Sequence, residues 1–176
     1  MRKVLHILGD FSDEDIAWLI NVGMKKTVQA NELLIAANVQ LNAIYFVLSG
    51  RFNIELPNGK IIAKIKSGEI LGEMSFIEEE TPYANVMATD ASSVISIAHE
   101  FLLDRFKECP PFEGRFYKAM SLFLSSRLRR VASQPSHESG EKMTKEFEQD
   151  IDNATLNRIQ IAGERFTRLL NHFDQE

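Results

Sequence analysis

The sequence predicts an α+β, mainly β fold: a jelly-roll β-barrel or β-sandwich with helices before and after it. Three observations carry that expectation. Between residues 32 and 98 the apolar side chains fall in six short runs (32–36, 43–48, 51–56, 60–65, 85–88 and 92–98), rich in Ile, Val and Phe. Each is too short for a helix and has the length and spacing of a strand in a two-layer β structure. Turn signals separate them at Ser49-Gly50, Pro57-Asn58-Gly59 and Ser67-Gly68, and Asn-Gly between two such runs is a strong hairpin signal. On either side of this block the apolar spacing changes to steps of three and four, the period of a helix.

In chain order, Ser12-Asp13-Glu14-Asp15 opens a helix. Ser12 is its N-cap, Asp15 stands three residues on, and the acids face the positive end of the helix dipole. Ile16, Leu19 and Ile20 form its apolar stripe, Trp18 flanks it, and Gly23 ends it. After the strands, a short helix spans 99–107 and stops at Cys109-Pro110-Pro111. A longer one runs over 111–133, with Tyr117, Met120, Leu124, Leu128 and Val131 as its stripe and Phe112, Phe116 and Phe123 widening that face. Residues 134–140, with Pro135, Ser136, Ser139 and Gly140, read as a linker. In the tail, 141–176, Leu156, Ile159, Gly163, Phe166, Leu170 and Phe173 make an amphipathic stripe that needs a groove or another helix. The tail has no obvious place on the barrel and reads as removable from it. The expected division is therefore a domain over 1–133, a linker and a helical arm.

At 176 residues with 44% hydrophobic and 26% charged side chains, the chain can bury one good-sized core. No apolar run approaches the roughly 18 residues of a membrane span, and the piece from Met1 to Leu8 is too short for a secretory signal. A lone Cys109 fits a reducing cytoplasm and reads as a half-buried structural thiol. His6, His99, His137 and His172 all fall outside the strands, so a metal-binding enzyme site on the barrel is not expected. The net charge of -5 opposes a broad nucleic-acid footprint. Residues 136–176 hold 9 acids against 5 basic residues and show no DNA-reading helix with a following wing. Nor is the charge evenly spread. Residues 67–104 contain 8 acids (Glu69, Glu73, Glu78, Glu79, Glu80, Asp90, Glu100, Asp104) and neither lysine nor arginine.

That acidic stretch holds the most informative motif, Ser67-Gly68-Glu69-Ile70-Leu71-Gly72-Glu73-Met74-Ser75-Phe76. Gly72 lets a ligand approach the backbone closely, a turn of helix behind it offers N–H groups, and Glu73 can grip a hydroxyl. Taken alone, the pattern also reads as a capped strand-turn-strand corner. It stands, however, between Ala43-Ile44-Tyr45-Phe46-Val47-Leu48-Ser49-Gly50 and Ala88-Thr89-Asp90, with Phe11-Ser12-Asp13-Glu14-Asp15 upstream. In that order these segments resemble the cyclic nucleotide-binding domains of the catabolite activator protein and of kinase regulatory subunits, over roughly residues 5–133. The resemblance implies a jelly-roll β-barrel (a double-stranded β-helix), a phosphate-binding cassette, a long helix that closes the pocket, and often a dimer through that helix. It also places Asn31 and Asn38 near turns where the family has glycine, and asparagine tolerates the left-handed backbone there.

Carried over, Glu73 binds a ribose hydroxyl, and Gly72, Met74 and Ser75 offer backbone groups to the ribose-phosphate. Tyr83 and Ala84 line the same site. Where the family has an arginine, a small residue and alanine, this chain has Pro82-Tyr83-Ala84, so the phosphate-neutralising arginine is missing. A charge-assisted bond is worth about 1.5–3 kcal/mol, roughly ten- to a hundredfold in affinity. Three readings follow. The chain binds a cyclic nucleotide (cyclic AMP or cyclic GMP) weakly, or with a cation imported from Arg51 or Arg127. It binds a less anionic small molecule in the same pocket. Or the pocket is vestigial and the domain is a ligand-independent dimerisation or docking scaffold. A transcription regulator of the activator type without its helix-turn-helix is a further alternative. Ser125, Ser126 and Arg127 lie on the long helix about where family members touch the base, although by themselves they read as ordinary solvated helix residues. The expected role is regulatory and non-catalytic, with a homodimer through 111–133 and a protein partner for the 141–176 helix.

Overall fold

The computed structural model describes residues 6–132 and 153–173. Two helices open the chain, α1 (His6–Asp10) and α2 (Asp13–Val22). The Ser12 hydroxyl accepts from the Asp15 amide at 3.2 Å while the Asp15 carboxylate accepts from the Ser12 amide at 2.7 Å, completing the capping box. Eight strands follow: β1 (Met24–Val28), β2 (Leu33–Ile35), β3 (Ala43–Ser49), β4 (Arg51–Glu55), β5 (Ile61–Lys66), β6 (Ile70–Leu71), β7 (Asn85–Ala88) and β8 (Ser92–Ala98). Helix α3 (Glu73–Glu78) interrupts them after β6, and α4 (His99–Glu108), α5 (Pro110–Ala132) and α6 (Asn153–Phe173) complete the order.

All strand pairs are antiparallel, in two four-stranded sheets ordered β1-β8-β3-β6 and β2-β7-β4-β5. The expected closed barrel is therefore corrected to two open sheets. The break is at Gly50, where φ of +86° turns the chain out of β3 and across to the second sheet in β4. A Cβ there would sit 1.9 Å from the Ser92 hydroxyl oxygen, so this corner requires glycine. Asn31 and Asn38 take φ of 65° and 60°, the left-handed turns anticipated for them.

Strand β3 explains the two cores. Ile44, Phe46 and Leu48 alternate onto the face that meets the helices, while Val47 and half-buried Tyr45 face the second sheet. Burial on both faces gives the continuous apolar run read from the sequence. Three elements escape that reading. Helix α1 is five residues long and β6 only two, too short for either period to register. Strand β1 carries Lys25 and Lys26 on an edge, where charge guards against further pairing and hides the alternation.

Helix α5 covers nearly the expected span, but its buried face is Phe112, Phe116, Ala119, Met120 and Phe123. Tyr117 is part-exposed and Leu128 is 70% exposed, so the stripe drawn through them is displaced around the helix. The reason is aromatic packing. Phe112 and Phe116 seat against Phe11, Trp18 and Phe106, with ring centroids 5.2–6.5 Å apart. Arg115 clamps the Asp15 carboxylate from two nitrogens at 2.6 and 2.9 Å, and Lys118 reaches Asp10 at 2.8 Å.

The tail helix does have a place, contrary to expectation. Ala162, Leu169 and Phe173 of α6 are buried in the helix-side core with Phe166 and Leu170 beside them, against α1, α2 and the first sheet. Ala162 and Leu169 supply that face along with the expected Phe166, Leu170 and Phe173. Lys25 donates to the Phe173 carbonyl, and Arg165 donates to the Leu8 and Gly9 carbonyls at 2.9 and 3.3 Å, capping the end of α1. The 134–140 linker, His137 and residues 141–152 lie outside the described residues.

Candidate functional site

The central cassette folds as β6, Gly72 and the single-turn helix α3. Gly72 has φ of +83°, and a Cβ on it would fall 2.8 Å from Leu41 Cδ2 and 3.0 Å from the Ala43 carbonyl oxygen. The left-handed turn swings the chain from the sheet into α3 and presents Glu73, Met74 and Ser75 to a cleft. The far end of α3 is closed by Glu79 in a left-handed conformation, unusual for a residue with a Cβ.

That cleft is small, about 60 Å³, and open to solvent, well short of the roughly 300–1,000 Å³ of an ordinary small-molecule site. It is lined by all six residues singled out around the cassette: Gly72, Glu73, Met74, Ser75, Tyr83 and Ala84. Leu71, Val86, Ile35 and Ile54 give it apolar walls from both sheets. Tyr83 is 52% exposed at the mouth and Ala84 is buried. Of the three candidates on the long helix, only Arg127 reaches the cleft. Ser126 spends its hydroxyl on the Phe123 carbonyl at 2.7 Å, and Ser125 accepts from Arg129 at 3.0 Å. Arg51 points elsewhere, paired with Asp90 at 3.0 Å on an exposed surface.

Arg127 dominates the electrostatics. One terminal nitrogen donates to Glu73 Oε1 at 2.5 Å and the other to the Ile70 carbonyl at 3.1 Å. Its guanidinium lies 4.5 Å from the centre of the Phe123 ring, which fixes its plane. Its Nε is buried without an acceptor. Burial pushes the Glu73 carboxyl above the usual carboxylate range. Arg127 and Glu73's own amide oppose that shift, and the neighbouring Glu69 adds to it. The Glu73 carboxylate, expected from the resemblance to meet a ligand hydroxyl, is thus already held by the helix behind it. Among the described residues no group of three or more His, Cys, Asp or Glu is placed to hold a metal ion.

Arg127 is separated from Glu73 by 54 positions, so no local motif links the two. The available signal was its position on a helix expected to close the pocket. Cys109 is half-buried at the α4–α5 junction, and His99 sits against the Phe76 ring at 4.9 Å.

Comparison with known proteins agrees with this geometry. Residues 25–109 match the family described as the cyclic nucleotide-binding domain, from β1 through both sheets to the end of α4. An uncharacterized NTE family protein of Mycobacterium bovis is 32% identical over 130 residues, covering 73% of this chain and 22% of its own length. The chain thus spans about a fifth of that curated relative. A cyclic nucleotide-binding domain from Methylobacillus flagellatus superimposes with a TM-score of 0.69 at 18% identity, over 81% of this chain and 85% of that one. The catabolite activator protein of Thermus thermophilus gives 0.60 at 18% identity, over 72% and 60%. Arg127 and α6 lie outside the family match. Over residues 25–109, with β6, Gly72 and α3 as its cassette, this chain belongs to the cyclic nucleotide-binding domain family.

Proposed function

We propose that this chain is a regulatory small-molecule-binding module whose ligand carries hydroxyl groups but little or no negative charge. The observation that carries this reading is the Arg127–Glu73 pair. Among the described residues Arg127 is the only cation lining the cleft, and it is neutralised by the carboxylate that a ligand hydroxyl must reach. A cyclic phosphate would have to take Arg127 from Glu73, whose buried carboxyl would then have to take up a proton or remain uncompensated, and either outcome weakens binding. A neutral ligand can share Glu73 and rest on the apolar walls. Cyclic AMP and cyclic GMP are therefore weak ligands here.

Leu122 and Leu128 face outward on α5, which supports a homodimer through 111–133 in a larger, regulated protein. In such a protein this module senses rather than catalyses. A thermal-shift series with cyclic AMP, cyclic GMP and adenosine at millimolar concentration tests the reading. A ligand at 100 times its dissociation constant adds about 2.7 kcal/mol. The expected order places adenosine at or above the cyclic nucleotides. A large shift with cyclic AMP alone would overturn the neutral-ligand reading. No shift with any of the three would favour the ligand-independent scaffold.

A further inference from the structure

Strand β6 is two residues long, and its side chains go to opposite faces. Leu71 lines the ligand cleft, while Ile70 enters the core beneath α6. The same short strand is held from the cleft side by Arg127, which bonds the Ile70 carbonyl and, two residues past the strand, the Glu73 carboxylate. From the other side Phe166 and Leu169 of α6 close over Ile70. The closure is incomplete, because a small cavity remains between those two side chains, Ile70 and the β3 residues Phe46 and Leu48. Packing defects of this kind weaken the seating of an element. The polar fastenings of α6 lie elsewhere, at Arg165 on α1 and Asp13 and at Lys25 on its last turn.

We infer that α6 is a displaceable strap whose seating is coupled to the ligand cleft through β6. Ile70 is the shared part. A change that withdraws Arg127 from Glu73 and from the Ile70 carbonyl frees β6 to shift, and the apolar contact with Phe166 and Leu169 loosens on the opposite face. Coupling of this kind is reciprocal, so releasing α6 must also change the cleft. The strap is the output of the module: when it lifts, the apolar stripe of α6 and the face of β3 it covers become available together. The proposal rests on the cleft being the input site, but not on which ligand enters it.

Hydrogen exchange read by mass spectrometry on the full chain tests the coupling without any ligand. Arg127→Met is expected to raise exchange across 153–173 at least fivefold while leaving 92–98, in the middle of the first sheet, at the wild-type rate. Arg165→Ala, which unfastens the strap directly, is expected to raise exchange across 70–78 in turn. It carries the test if Arg127→Met does not fold. Arg51→Ala, which breaks an exposed pair on the other sheet, is the control and should leave both segments unchanged. Wild-type exchange in 153–173 when Arg127→Met has loosened 70–78 would overturn the coupling. So would an equal rise in 92–98, or wild-type exchange at 70–78 in Arg165→Ala. Because no ligand is present, these outcomes are separate from the ligand series, which can fail while the coupling stands.

Discussion

Two buried carboxylates, Asp15 and Glu73, each meet one arginine of α5, and their surroundings drive them in opposite directions. Burial raises both. At Asp15 the bidentate Arg115 and the Ser12 cap outweigh it and hold the carboxyl below its ordinary value. At Glu73, almost wholly buried and near Glu69, burial wins over Arg127. The signs follow. Asp15 contributes stability that is present above its unfolded value of 3.8 and is lost as pH falls through its lower folded value. Glu73 holds a proton more readily folded than unfolded, so its contribution declines as pH rises out of the ordinary carboxylate range. Asp15→Asn is expected to cost about 2 kcal/mol at pH 7, less than the roughly 3–5 of a fully buried pair because Arg115 is part-exposed. Urea unfolding at pH 7 and pH 3 checks this, and the difference from wild type should shrink at pH 3. Asp15 was legible as part of a helix cap and Glu73 as part of the cassette from local spacing. Their arginine partners were not, because the pairings are made by tertiary approach over 100 and 54 positions.

Among elements, those with a regular pattern several residues long were read well. Strands β7 and β8 lie within the bounds their apolar runs implied, and α2 carries its capping box. Edge strand β1 and two-residue β6 escaped because their pairing, not their composition, defines them. Helix α6 shows the other limit. A heptad-like stripe establishes that a face will be covered but does not say by what. Buried Ala162, Leu169 and Phe173 make the tail part of the helix-side core, so it is not the removable arm the sequence suggested. A chain truncated after residue 140 is accordingly expected to bind the dye ANS strongly and to aggregate, through the uncovered Phe46, Leu48 and Ile70. A truncated chain with wild-type solubility and no added dye binding would show that α6 covers little that needs covering.

For the whole molecule, the net charge of -5 matters less than where it sits. The band from 67 to 104 without lysine or arginine includes β6, α3 and the cleft mouth, so the fold offers no local cation to an anionic ligand. Among the described residues the one cation lining the cleft comes from α5, outside the family match, and it arrives already paired. The family was legible from the order of its segments. The missing arginine was legible too, but the pairing of Arg127 with Glu73 required the structure, because it depends on where a distant helix points. Calorimetric titration of cyclic AMP and adenosine into the wild-type chain and Tyr83→Arg tests this most directly. Tyr83 stands exposed at the cleft mouth beside the missing arginine, so an arginine there restores a free cation without disturbing the core. The wild type should bind adenosine at least as tightly as cyclic AMP, and Tyr83→Arg should strengthen cyclic AMP about tenfold or more while leaving adenosine unchanged. Wild-type binding of cyclic AMP tenfold tighter than adenosine, with no gain in Tyr83→Arg, would contradict the account.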